Sequence, residues 1–387
     1  MASNQSGLSR RRGAGTTPSS SSLQQPAHSS LAAPSTSNGK EASRPSTPLS
    51  AGGAGGGHKI AYDERDLGDA EEDRINPRLT LMEEVLLLGL KDKQGYLSFW
   101  NDNISYTLRG CIVLELALRQ RIAMVRDPNR RRFPLADRYI EVIDDRLTGE
   151  VLLDEALKMM KVSERMSVGT WIDLMSGETW NVMKIGYQLK QVRERLAKGL
   201  VDKGVLRTEK RNFLLFDMAT HPVSDPSFKD DVLRRTLSLL TSRTAAVPTT
   251  NLYGESVRYR TIRGVAMVCA AFAANVLENA LVHLGYDARE AAFAKCDELL
   301  AEFSQWPFGA GIPVGAGSGS KGLASGGSQG GVENANLAEI NRLARLEIVG
   351  QGPGDQPGDA ERQTRRELSL EVVAAVVEVY RRMDSLL

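Results

Sequence analysis

LTLMEEVLLLGL, residues 79–90, is where the ordered part of the chain begins. Thr80 stands three residues ahead of Glu83, the spacing at which side chain and backbone cap each other at a helix start. Leu79, Met82, Leu86 and the Gly89–Leu90 pair then recur at helical spacing, which predicts an amphipathic helix with one face toward a core. The same period returns downstream. Residues 103–121 are apolar at Ile104, Leu108, Val113, Leu116 and Ala117, and residues 149–161 at Leu152, Leu153, Ala156, Leu157 and Met160. Further helices are predicted over 170–175, 180–203, 230–241, 256–284, 288–303 and 365–383. Strand signals are short. RFPLADRYIEVID (132–144) carries the β-formers Tyr139, Ile140, Val142 and Ile143. GVLRTEKRNFLLFDM (204–218) reads as a hairpin turning at the polar TEKRN. The predicted fold class is therefore mainly α, one helical domain with a few short β-hairpins.

Composition sets the limits of that domain. Residues 1–74 are rich in Ser, Pro and Gly (TTPSSSSLQQPAHSS, AGGAGGGH) and too poor in apolar side chains to offset the entropy of ordering, so they are expected to be a disordered tail. Residues 308–363 contain GAGIPVGAGSGSKGLASGGSQGG and GQGPGDQPGD and read as a flexible insert with one short helix near 336–348. The domain then comprises 75–307 plus 364–387. Lys plus Arg number 49 against 48 Asp plus Glu, a net charge of +1, so any anionic partner must be met by a local patch. This weighs against a nucleic-acid binder. Three cysteines (Cys111, Cys269, Cys296) lie far apart without a CxxC, which excludes a disulfide-stapled scaffold and a Cys-rich zinc module and fits a reducing compartment. The four histidines are too scattered for an HExxH-type metal site. The first thirty residues lack a secretory core, and the most apolar run, 265–274, is about half the ~20 residues a membrane span needs.

Catalytic motifs are absent: no GxSxG, no Walker A, and no GxGxxG between a strand and a helix. The pairs Asp144–Asp145 and Asp154–Glu155 are sequence neighbours, which do not face each other on a helix. No enzyme activity, cofactor or metal is expected. Two segments carry recognition chemistry instead. In GYLSFWNDNISYTLRGC (95–111), Trp100 sits in a Gly- and Asn-rich turn. It either folds onto the core or serves as an aromatic wedge, since an indole is apolar in body and polar at its N–H. Arg109 opens the next helix and is an anion ligand by type. In YQLKQVRERLAKGLVDKGV (187–205), Lys190 and Arg193 stand three apart on the predicted helix, as do Arg195 and Lys198. Converging cations of this kind make a phosphate site. The alternative is a solvated face neutralised by Glu194 and Asp202.

These blocks, together with LTGEVLLDEALK, SGETWN, TEKRNFLLFDMATHP and VLENA, resemble the Golgi phosphoprotein 3 family in its fungal form. The resemblance runs from about residue 79 to 303 and includes the last helix. It implies a mostly helical domain on the cytosolic face of Golgi membranes that recognises phosphatidylinositol 4-phosphate. Carried over residue by residue, the lipid site falls on Trp100, Arg109, Lys190 and Arg193, with Lys190 standing where some members have Arg. It further implies self-association through the hairpin residues Phe213, Leu214, Leu215 and Phe216, and COPI-coat binding by Arg10, Arg11 and Arg12. Its adaptor role implies the cytosolic tails of Golgi glycosyltransferases as partners, for which the acidic stretch 63–73 is one docking candidate. The insert 308–363 has no counterpart in the family pattern. The competing reading is a winged-helix nucleic-acid binder built from the helix 180–203 and the hairpin after it. Its wing is apolar at Phe213–Phe216 where a basic edge is needed.

Overall fold

The capping box at Thr80 forms as its spacing predicts: Glu83 N–H donates to Thr80 Oγ1 (3.4 Å) and Thr80 N–H to Glu83 Oε2 (2.9 Å). It starts helix α1 (Leu81–Gly89), every residue of which is buried. The computed structural model describes residues 75–97, 102–213, 216–242, 246–309, 330–350 and 360–384. The tail 1–74, with Arg10, Arg11 and Arg12, lies outside the described residues, as do Trp100, Leu214 and Leu215.

The fold is mainly α. After α1 come α2 (Asp102–Leu118), strands β1 (Ile122–Met124) and β2 (Ile140–Val142), α3 (Val151–Val162) and α4 (Val168–Ser176). Then follow α5 (Val192–Asp202), β3 (Glu209–Phe213), β4 (Phe216–Thr220), α6 (Pro226–Thr241), α7 (Arg260–Ala273), α8 (Leu277–Leu281) and α9 (Tyr286–Phe303). The last two are α10 (Gly330–Val349) and α11 (Ala360–Asp384). The described strands form two small antiparallel ladders. β1 pairs with β2 (Ile122 opposite Val142), and β3 pairs with β4 (Glu209 opposite Thr220 through Phe213 opposite Phe216).

The core is built around α2, α7 and α11, which pack on one another, with α1 against the first two. α11 contributes Leu370, Val372, Val373, Ala374, Ala375, Val376 and Val377, all essentially buried. A helix apolar on this many sides belongs inside a bundle. Gly110 permits its close approach to α2: a Cβ there would lie 2.4 Å from Tyr380 Oη. That hydroxyl donates to the Thr107 carbonyl at 2.9 Å. Three buried ion-pair clusters lock the helices together. Glu115 of α2 accepts from Arg263 Nη1 (3.0 Å), Arg119 Nε (2.9 Å) and Leu81 N–H (3.2 Å), joining α1, α2 and α7. Arg235 of α6 binds Glu84 of α1 (2.7 Å) and Asp231 (2.9 Å). Glu371 of α11 takes Arg130 (3.0 Å) and Arg138 (2.6 Å) from the β1–β2 connection.

Besides the segment 180–203, described below, three elements differ from the sequence reading. The helix predicted over 256–284 is broken after Ala273: Asn275 adopts a left-handed conformation (φ 56°), and the chain restarts at Leu277. Asn accepts that conformation more readily than most residues. The polar TEKRN segment supplies most of strand β3 and is no turn; the ladder continues to the pair Phe213 and Phe216. Local polarity misled here because one face of the ribbon points to water: Lys210 and Asn212 lie opposite Ala219 and Asp217 on that face and all four are exposed, while Thr220 on the other face is buried. Finally, within 308–363 the single helix is longer than predicted and is anchored at three points. Asn336 donates to Ser242 O (2.7 Å), Arg345 Nε to Phe308 O (3.1 Å), and Glu347 accepts from Thr261 and Ile262 N–H (2.7 and 3.1 Å) at the start of α7. Phe308 itself is fully buried.

Candidate functional site

The site is organised by the junction between α4 and α5. Ser167 caps α4 by accepting the Thr170 N–H (3.2 Å), and Trp171, Ile172, Leu174 and Met175 bury one face of that helix. Tyr106 Oη of α2 donates to Asp173 at 2.6 Å and fixes its position. The helix ends at Gly177, whose φ of 87° is a left-handed C-cap that glycine adopts without strain. The chain then runs out through Trp180 into a short 3-10 helix, Val182–Tyr187, started by Asn181 Oδ1 accepting the Met183 N–H (3.0 Å). It returns at Leu189, whose N–H donates to Met175 O at 3.0 Å and whose side chain is buried. Gln191 is left-handed (φ 52°), and only at Val192 does α5 begin.

The single helix predicted over 180–203 therefore does not form. Its apolar residues belong to two environments: Val192, Leu196, Ala197 and Leu200 bury against the core, whereas Trp180, Val182, Met183 and Ile185 are exposed. Lys190 consequently precedes α5 and does not share a helix face with Arg193. The tertiary contact at this point is made by Arg109, which holds the Leu189 carbonyl just ahead of Lys190.

Arg109 is 6% exposed. Its Nε donates to Met175 O (3.2 Å), its Nη1 to the carbonyl and hydroxyl of Ser105 (both 2.7 Å), and its Nη2 to Leu189 O (2.7 Å). One guanidinium thus ties together α2 and both ends of the 177–188 loop. Every acceptor is neutral, so the charge stays uncompensated by any hydrogen-bonded carboxylate. Burial, and then the nearby positive charge of Arg193, lower the Arg109 pKa to about 10, and Arg109 remains a cation at neutral pH. Lys190 follows the clamped Leu189 directly and is exposed, and Arg193 is half-buried. Neither forms an ion pair with a described residue. By contrast Arg195 is engaged by Glu155 (2.5 Å) and Lys203 by Glu83 and Glu150 (2.8 and 2.7 Å). Of the basic residues predicted to cooperate, Arg109 holds the carbonyl of Leu189, the residue before Lys190, and lies within electrostatic reach of Arg193, whereas Arg195 is taken up in an ion pair with Glu155. Glu194 acts on Arg109 in the opposite sense, but no carboxylate is hydrogen-bonded to Arg109, and one buried and two accessible cations in this arrangement favour a multiply charged anion.

Sequence reasoning missed the loop itself. The sequence places Trp180 at the start of a helix, whereas in the structure it precedes the 3-10 helix and is fully exposed (104%). The signal available was SGETWN, a Gly followed by capping-type residues ahead of an unusual aromatic.

Among the described residues no group of His, Cys, Asp and Glu is placed to hold a metal ion, and no helix is long and apolar enough to cross a membrane. Comparison with known proteins adds the following. The family described as Golgi phosphoprotein 3 (GPP34) matches residues 81–319. Vacuolar protein sorting-associated protein 74 of Schizosaccharomyces pombe is 56% identical over 330 residues, covering 85% of this chain and 89% of that protein. The protein of the same name from Eremothecium gossypii is 51% identical over 330 residues, covering 85% and 90%.

Proposed function

Because the chain belongs to the Golgi phosphoprotein 3 family, we propose that it is a peripheral adaptor on the cytosolic face of Golgi membranes, held there by phosphatidylinositol 4-phosphate. The observation that carries this reading is the Arg109 clamp, which sets Lys190 and Arg193, both without carboxylate partners among the described residues, beside a buried third cation. In this reading Lys190 and Arg193 contact the phosphorylated headgroup, Arg109 positions them and adds its field, and Trp100 lies beside the headgroup. Each basic residue near an anionic membrane contributes on the order of 1 kcal/mol, so docking is weak and reversible for one copy. The β3–β4 hairpin, one face of which is exposed at Lys210, Asn212, Asp217 and Ala219, mediates self-association, and several copies on one membrane bind with multiplied affinity. Arg10, Arg11 and Arg12 then recruit the COPI coat, and another surface holds the cytosolic tails of Golgi glycosyltransferases.

Vesicle pelleting tests the headgroup site. The wild-type chain should sediment with phosphatidylcholine vesicles containing phosphatidylinositol 4-phosphate and stay in solution with phosphatidylcholine alone. Lys190→Glu and Arg193→Glu should each lower sedimentation about tenfold or more, since charge reversal replaces an attraction by a repulsion. Pelleting that is unchanged in variants with wild-type circular dichroism overturns the assignment.

A further inference from the structure

We propose that the 177–188 loop is a membrane wedge: Trp180, Val182 and Met183 enter the boundary between headgroups and acyl chains of an anionic bilayer, beside the cation cluster at the loop neck. The proposal rests on the headgroup reading above and adds to it a second, apolar attachment point from a different segment.

Four large apolar side chains fall within six residues, and all are exposed: Trp180 at 104%, Val182 at 76%, Met183 at 88% and Ile185 at 50%. Single exposed apolar residues are ordinary on a soluble surface, but a contiguous cluster marks an interaction site. The cluster sits on a braced stalk. The loop neck is closed by the Leu189 N–H to Met175 O bond and by the Arg109 guanidinium spanning both strands of the chain. Its returning limb is pinned where Tyr187 packs edge-on against the buried Trp171 (centroids 5.8 Å apart) and accepts from Ser163 Oγ (3.2 Å). A neck held at both ends presents the tip at a fixed height, which lowers the ordering entropy lost on insertion.

The occupant is decided by what surrounds the cluster. Lys190 and Arg193 stand at the base of the same loop without carboxylate partners, whereas Lys184 within it is paired with Glu164 at 3.6 Å and the exposed Glu178 lies on the outgoing limb, so the unpaired positive charge is at the neck. An apolar tip above a cationic collar matches an anionic bilayer, whose charge lies at the headgroups and whose apolar phase lies just beneath. Trp180 suits that boundary, with an apolar ring and an N–H for the carbonyl layer. A protein partner or a second copy of the chain predicts a different experimental outcome.

The test uses the full chain. Met183→Cys is labelled with an environment-sensitive fluorophore; the native thiols of Cys111, Cys269 and Cys296 are all buried and do not compete. On adding vesicles containing phosphatidylinositol 4-phosphate, the label should shift to the blue and be quenched by lipids brominated near the headgroup end of the acyl chain. The double variant Trp180→Ser/Met183→Ser should keep wild-type calorimetric binding of soluble inositol 1,4-bisphosphate while losing about tenfold or more in vesicle affinity, the scale set by one lost apolar anchor. Lys190→Glu/Arg193→Glu should lose both. A label that stays unquenched on wild-type-level pelleting, or a double variant that pellets like wild type, overturns the wedge and leaves the headgroup reading standing. Failure of the wild-type chain to bind either vesicles or headgroup overturns the headgroup reading itself. Loss of sedimentation-measured self-association in the double variant, with vesicle binding intact, assigns the loop to a protein interface and equally overturns the wedge.

Discussion

Arg109 is where the chemistry of a single residue decides the site. A lysine has the same charge but gathers its donors on one nitrogen, whereas the guanidinium fork reaches Ser105, Met175 and Leu189 at once. Arg109→Lys should therefore leave buried carbonyls unsatisfied and lower stability by about 1–3 kcal/mol, read as a shifted denaturant midpoint. It should also weaken vesicle binding despite its preserved charge, because the loop neck that sets Lys190 beside Arg193 is loosened. Charge reversal at Arg109 is a poor probe of headgroup contact for the same reason, and Lys190 and Arg193 are the informative positions. An unchanged midpoint for the lysine variant excludes the clamp. Trp180 is the opposite case. It makes no structural demand on the fold, and its exposure costs the free chain apolar hydration with no internal return.

At the scale of elements, the chain uses one segment to finish another. The first turn of α7 begins at the left-handed Tyr259, which makes no side-chain cap bond. The missing acceptor comes from α10, where Glu347 takes the N–H groups of Thr261 and Ile262. Burial raises the Glu347 carboxyl above its ordinary pKa, and these N–H bonds pull the other way. Glu347→Ala should cost about 0.5–2 kcal/mol, the range for a lost N-cap, measured by thermal or urea unfolding. Vesicle pelleting should be unaffected, since α10 packs on α7 and α11, away from the α4–α5 junction. A wild-type stability for this variant removes α10 from the structural core. The hairpin shows the converse: β3 and β4 pair with each other, expose one face to water, and are tied to the body where Thr220 is buried and Arg211 donates to the Lys93 carbonyl.

For the whole molecule, the buried carboxylate of Glu115 links three helices and sets an acid limit. Burial alone pushes its pKa up, but Arg263, Arg119 and the Leu81 N–H outweigh it and hold the folded value at about 2. In the unfolded chain the group titrates near about 4.3. A depressed folded value means that the stabilisation is complete above the unfolded pKa and is lost as pH falls from there toward 2. Melting temperature should decline through that window, and Glu115→Gln, already less stable at neutral pH, should show a flatter profile there. A variant whose acid profile parallels wild type shows that other groups govern acid unfolding. Net charge plays no part in the membrane reading. At +1 the molecule has almost no monopole, so attraction to a bilayer depends on which cations are left unpaired and where they point.

Helical periodicity, the Thr80–Glu83 spacing and the lack of long strand signals determined from sequence alone that this would be a mainly α domain, because those signals act within a turn or two of the chain. The basic residues of the candidate site were legible as types, Arg109 in one segment and Lys190 and Arg193 in another. Their union was not legible, since it depends on a guanidinium reaching 80 residues along the chain to the Leu189 carbonyl. Periodicity likewise ran through 180–203 as if one helix, although tertiary packing buries the second half and expels the first. Only the folded structure separates residues needed to fill the core from residues of the same hydrophobicity left facing water, because burial is a property of neighbours brought together by the fold and hydrophobicity is a property of the side chain.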